Sequence, residues 1–291
     1  MRFLLLPILL MTAYCGVTQV PGVDYKLYDA RLKKETTIEA IAAGIGSGEV
    51  LVFGEQHDDS IGHLMEKKVL EALYAKQGNA VMLAMEMFHR DVQYILDEYL
   101  AGLISEKNFV KEARAWDSYK TDYKPAVEFA KEKHLRVIAA NAPSRYTNMV
   151  TRNGLSALEG LSKEVKQQYI APLPVDTVTG PYYDKFLEAM GGHTTPGMHL
   201  FQSQSFWDAT MSWSIAEALK QYKKGVVLMF NGRFHSDYHL GLVQRLERNY
   251  KKKVTTISSF AASDFAAPDW NRYAAQGDYI LITSGKPEEA Q

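Results

Sequence analysis

Val50-Leu51-Val52-Phe53-Gly54-Glu55-Gln56-His57-Asp58-Asp59 decides the fold: four apolar residues in succession, a glycine, then acids, an amide and an imidazole. A strand with one wet face alternates apolar and polar residues, whereas a strand covered on both faces stays apolar throughout. The same uninterrupted pattern returns at Ala80 to Met85, Arg136 to Ala140, Val226 to Phe230, Val254 to Ile257 and Tyr279 to Ile282. Between such runs, Ile61, Leu64, Met65, Val69, Ala72 and Leu73 keep helical spacing, as do Val243 and Leu246. Strand, helix, strand in repetition implies right-handed crossovers. The chain therefore reads as α/β, a mostly parallel central sheet flanked by helices, in a single domain over about residues 20–285. About eighty residues separate Ala140 from Val226, far beyond the roughly 10–12 of a minimal crossover. That stretch carries Pro172, Pro174, Pro181, Pro196 and Gly191-Gly192, and is expected to insert a small helical subdomain, or lid, at about 150–200.

The 291 residues are 46% apolar and 23% charged, with a formal net charge of −1. No global field draws such a chain to nucleic acid or anionic lipid, and nucleic-acid binding is not expected. The run Lys251-Lys252-Lys253 reads as a solvated exit from helix to strand. At the N-terminus, Arg2 precedes a nearly unbroken apolar stretch from Phe3 to Met11, which is too short to span a bilayer. Residues 1–15 read as a signal segment of an exported protein. Cys15 stands where a lipoprotein signal places its acylated residue, although Tyr14 replaces the usual small residue before it. A plain secretory cut near Ala13 to Gly16 competes with that reading. With one cysteine, no internal disulfide can form.

Ligands of open parallel sheets bind where strands end and loops begin. The first strand runs into Glu55 and His57, the second ends on Glu86, and the fourth runs into Asn231-Gly232-Arg233-Phe234-His235. Two carboxylates and two imidazoles should thus converge at one edge, with Gly54 and Gly232 letting the backbone turn sharply. Asn141 and Arg145 follow the third strand near the same edge, Pro143 opening a helix between them. Gln204 and Asp208 continue the apolar stripe Met211, Ile215, Ala218, Leu219, so both are expected buried, paired with a pocket imidazole or Arg145. Taken singly, each feature has a structural explanation, such as Glu86 favouring a helix N-terminus. Jointly they point to a site. His63, His89, His134 and His239 read as surface or helix-end residues.

At these residues the chain resembles the ChaN-like haem-uptake family, of the superfamily shared with Tiki proteases and erythromycin esterase-like hydrolases. The matching segments are Gly54 to Asp58, Ala84 to Phe88, Gln93 to Leu100, Trp116-Asp117, Tyr123-Lys124-Pro125, Asn141 to Arg145, Gln204 to Met211 and Gly232 to His235. The resemblance implies an exported or lipid-anchored protein that binds haem near a dimer interface through a tyrosine, with outer-membrane haem-uptake machinery as partner. It also implies that Glu55, His57, Glu86 and His235 occupy metal-site or catalytic positions. It does not single out one of the seventeen tyrosines. Within the insert, Tyr182 or Tyr183 is the expected iron ligand, with Lys185 or His193 meeting the propionates and Phe186, Met190 and Met198 supplying apolar surface. The alternative is a metal-dependent hydrolase in which His57, His235 and Glu86 hold a divalent metal.

Overall fold

The computed structural model describes residues 24–177 and 179–285; the expected signal segment and Cys15 lie outside the described residues. Eight strands form one sheet: β1 (Tyr25–Asp29), β2 (Lys34–Glu35), β3 (Val50–Glu55), β4 (Val81–His89), β5 (Arg136–Asn141), β6 (Val226–Gly232), β7 (Val254–Ala261) and β8 (Tyr279–Thr283). Their order is β2-β1-β8-β7-β3-β6-β4-β5. Strands β3 to β8 are mutually parallel and are the six apolar runs of the sequence. Strand β1 runs antiparallel to both β2 and β8 and was not legible in that pattern. Its five residues alternate buried and half-buried, a half-wet rhythm too short to stand out.

The helices are α1 (Ile38–Gly44), α2 (Ser60–Gln77), α3 (Gln93–Leu100), α4 (Glu106–Glu112), α5 (Lys124–Glu132), α6 (Ser144–Asn153), α7 (Lys163–Gln168), α8 (Pro181–Ala189), α9 (Leu200–Gln221), α10 (Gly241–Tyr250) and α11 (Trp270–Tyr273). Successive strand residues point to opposite faces, and the two faces have separate cores. Leu51, Phe53, Leu83, Met85, Leu228 and Phe230 pack with α1, α2, α3 and α5. Val50, Val52, Met82, Ala84, Val227 and Met229 pack with Met211, Ile215 and Leu219 of α9 and Leu242, Val243 and Leu246 of α10.

Helix α9 spans about 33 Å at 1.5 Å per residue. It buries Gln204 and Asp208 along with the apolar stripe they extend. Two of its buried hydroxyls find backbone acceptors: Thr210 donates to the Phe206 carbonyl, and Ser214 to those of Thr210 and Ala140. In α2 the apolar spacing finds the buried face through Met65, Val69 and Leu73, but that face is wider than the spacing suggests. His63, Glu66 and Leu70 lie on it, while Leu64 is 36% exposed. Between α6 and α9, a small core of Tyr146, Val150, Leu158 and Ile170 closes on Phe206, so this helical stretch rests on α9. The free edge of β5 is covered by a side chain: Gln93 donates to the Val137 carbonyl and accepts from the Ala139 amide.

Candidate functional site at the carboxyl edge of the sheet

Strands β3, β6 and β4 are neighbours, so their carboxyl ends open side by side. Glu55 closes β3, buried to 1% exposure, and its Oε1 accepts from the Tyr123 hydroxyl at 2.7 Å and from His57 Nδ1 at 2.6 Å. Burial works against the Glu55 carboxylate, yet hydrogen bonds from His57 and His63 hold its pKa well below the usual range. The His57 ring is half-exposed and meets Trp116 edge-on at 5.3 Å. Partial burial opposes its charge, but the Glu55 hydrogen bond prevails and raises its pKa.

Gly54 and Gly232 are needed here for close approach, and neither has a positive φ; this replaces the sharp backbone turn expected of them. A Cβ on Gly54 would lie 2.5 Å from Ser236 Oγ and 3.0 Å from Arg233 Cα. One on Gly232 would lie 2.7 Å from His57 Nε2. The Gly232 amide donates to Glu86 Oε2 at 2.8 Å, tying the end of β6 to β4. His235, one turn later, sets Nδ1 2.7 Å from Asp208 Oδ1 and Nε2 3.5 Å from Glu86 Oε1. Burial disfavours the imidazolium, but the Glu86 and Asp208 charges outweigh it and push the His235 pKa up to about 10. Asp208 also accepts from the buried Tyr182 hydroxyl, which Gln204 Nε2 approaches to 3.1 Å. Burial and the Asp208 charge raise the Tyr182 phenol well above its ordinary pKa. At neutral pH, then, His235 is a clamped cation and Tyr182 a neutral donor.

Glu55, His57, Glu86, His235, Gln204 and Asp208 are thus brought to one edge. Arg145 is not a partner of Asp208: it starts α6 as expected, but its half-exposed guanidinium pairs with Asp91, which Arg114 also binds. Asn141 is buried and turns back on the Ala142 amide. Tyr183 packs edge-on against Phe201 at 4.9 Å, Lys185 donates to the Phe234 carbonyl at 2.9 Å, and His193 is exposed. Among the described residues, His57, Glu86 and His235 are not drawn to a common point as metal ligands would be, whereas Glu55, His63 and Glu66 are. His63 stands near the start of α2, as a helix-end residue would, but it is 4% exposed and not at the surface. It was missed because a histidine between apolar helix positions reads as a polar face. The signal was its spacing, with His63, Glu66, Leu70 and Leu73 at i, i+3, i+7 and i+10.

Comparison with known proteins adds a decisive observation: a family model described as haem-binding uptake, Tiki superfamily, ChaN, matches residues 41–246. The chain belongs to this ChaN family. Among solved structures, one described as cofacial haem binding to ChaN of Campylobacter jejuni superposes with a TM-score of 0.64 at 17% identity, covering 90% of this chain and 98% of the other. The type III effector HopBA1 shares the fold at a TM-score of 0.51 and 9% identity, covering 86% and 93% of the two chains. No curated protein sequence matches the chain.

In this ChaN family member the site has two chemically distinct halves. His57 offers a half-exposed imidazole whose Nδ1–H is fixed on Glu55, leaving Nε2 open. His235 is held from both sides by carboxylates, so it can stabilise negative charge or donate a proton, but is a poor base near pH 7. Half-buried Trp116, Trp207 and Phe234 flank the two histidines with apolar surface.

Proposed function

We propose that the protein binds haem in iron acquisition, and that the helical stretch before α9 presents the haem-contacting surface. The observation that carries this reading is the haem-binding family match across residues 41–246. A haem site needs a broad apolar face, an axial ligand and donors for two propionates. Met190 and Met198, 37% and 47% exposed, offer apolar surface beside α8, with exposed His193 close in sequence. Of the two expected tyrosines, Tyr182 has its hydroxyl engaged by Asp208 and is wholly buried, so Tyr183 is the ligand we propose. Lys185 already donates to a backbone carbonyl, and burial lowers its pKa to about 8. His193 is therefore the better propionate partner. Bound haem supplies a ferric centre, for which a phenolate is a hard, anionic donor.

Hemin titration of the purified protein tests this. Saturable binding with a high-spin ferric spectrum is expected, altered in Tyr183→Phe. An unchanged spectrum in that variant removes the ligand assignment. No saturable binding at all, together with metal-dependent hydrolysis lost in His57→Ala, would favour the hydrolase. The proposal extends to export through residues 1–15, to a tether at Cys15, to a homodimer that covers the second haem face, and to outer-membrane haem-uptake machinery as partner. An intact Met1 in the mature protein would count against export, and hemin titration without any change in oligomeric state would count against the dimer.

A further inference from the structure

Beneath the open site, on the α2 face of β3, lies a second group of ionisable side chains that haem binding does not use. Glu55, His63 and Glu66 are 1%, 4% and 1% exposed, and one ligand atom from each lies within 4.8 Å of the others. His63 Nε2 lies 3.0 Å from the His57 carbonyl oxygen. A carbonyl only accepts, so this contact fixes a proton on Nε2 and turns Nδ1 inward as the remaining nitrogen. Nδ1 faces Glu66 Oε2 at 3.1 Å and Glu55 Oε2 at 3.3 Å. Glu66 Oε1 is buried without a hydrogen-bond partner, and Glu55 Oε2 meets only the His63 nitrogen at 3.3 Å. Glu55 Oε1 is meanwhile held by Tyr123 and His57, which orients the carboxylate as an outer shell orients a ligand. Two carboxylates around an imidazole nitrogen need a cation between them, either protons or a metal ion.

We propose that Glu55, His63 and Glu66 form a buried site for one divalent first-row transition-metal ion, zinc foremost. The spacing suits this. Donors about 2.0–2.2 Å from a shared zinc ion in tetrahedral array lie about 3.3–3.6 Å apart, close to the separations already present. Glu55 Oε2, His63 Nδ1 and one oxygen of Glu66 supply three donors of the oxygen and nitrogen type that such ions accept, one from each residue. The charge balances too. With both carboxylates ionised and His63 neutral, a divalent ion neutralises the site, and any proton held there in its absence leaves to solvent. This site differs from the expected His57, Glu86 and His235 set and shares only Glu55 with the open edge. Its burial implies that the ion enters during folding and exchanges slowly.

The test is metal content. The full chain is unfolded in chelator, refolded with excess Zn²⁺, or with Mn²⁺, Fe²⁺ or Co²⁺ under reducing conditions, then desalted and counted by mass spectrometry. About one equivalent of at least one ion should remain, as expected of a single site. Glu66→Gln should lose it. The double variant Glu86→Gln/His235→Gln, which removes two of the three side chains of the open-edge metal set and neither of which holds Glu55, should keep it. Folded wild-type protein retaining none of the four ions overturns the proposal, as does metal lost from the double variant and kept by Glu66→Gln. If Glu66→Gln does not fold, the wild-type and double-variant counts decide. Hemin titration of Glu66→Gln should match wild type, so a failure of haem binding remains separate from a failure of this site.

Discussion

At Gly54 a single hydrogen stands where any side chain would strike Ser236 and the Arg233 backbone. Overpacking of this kind costs about 1–3 kcal/mol, so Gly54→Ala should lower stability by that amount in urea unfolding with an unchanged slope. Gly232→Ala presses on the half-exposed His57 ring instead. It should cost less stability but break the His57–Glu55 contact, visible as a drop in the His57 pKa by NMR. The His235 charge has a consequence with a definite sign. Its folded pKa, about 10, lies above the ordinary 6.5, so the folded state holds the extra proton between those values. The stabilisation is complete below about pH 6.5 and disappears as pH rises through about 10. The unfolding midpoint should fall between pH 7 and 10, and less steeply in His235→Gln. Equal slopes would show that another group governs. Glu55, His57, Glu86 and His235 were legible because strand ends announce themselves. His63 was not, because one histidine on a helix face says nothing until its partner Glu55, from a different element, is in place.

Helices were harder to read than strands. A strand buried on both faces leaves no polar residue to misplace, and all six such runs are strands. Helix α2 mixes His63 and Glu66 into its inner face, so its apolar residues alone trace only part of that face. Helix α9 was readable because Gln204 and Asp208 fall in register with a long apolar stripe. The same helix anchors α8 through the hydroxyl of Tyr182, buried and bonded to Asp208. Tyr182→Phe leaves a buried acceptor short of a donor, a loss of about 1–3 kcal/mol. Amide exchange in Pro181–Ala189 should accelerate in this variant while α2 stays protected. Uniform acceleration across both helices would mean that Tyr182 supports the whole domain and not α8 in particular. Gln93 illustrates what no periodicity reveals: its amide serves the backbone of β5, a role set by where the sheet happens to end.

Across the whole molecule the parallel sheet was legible and its antiparallel margin was not, since β1 and β2 hold only five and two residues. That margin is nevertheless extensively paired. Tyr25 lies opposite Thr283 and Asp29 opposite Tyr279, while Thr283 also donates to Asp59 beside the site. Truncation before Tyr279 should therefore remove two strands from the native sheet besides β8, with loss of near-ultraviolet circular dichroism. A truncated chain that kept the full native signal would show that the margin is dispensable. The pairing also carries a timetable. On a ribosome, β1 emerges first among the described strands and β8 last. Until β8 emerges, the leading strand has only the two-residue β2 for a partner, and β7 shows a bare edge that β8 alone covers. Completion of the sheet therefore waits for β8, the last of the described strands to emerge, when one five-residue segment zips onto both neighbours at once.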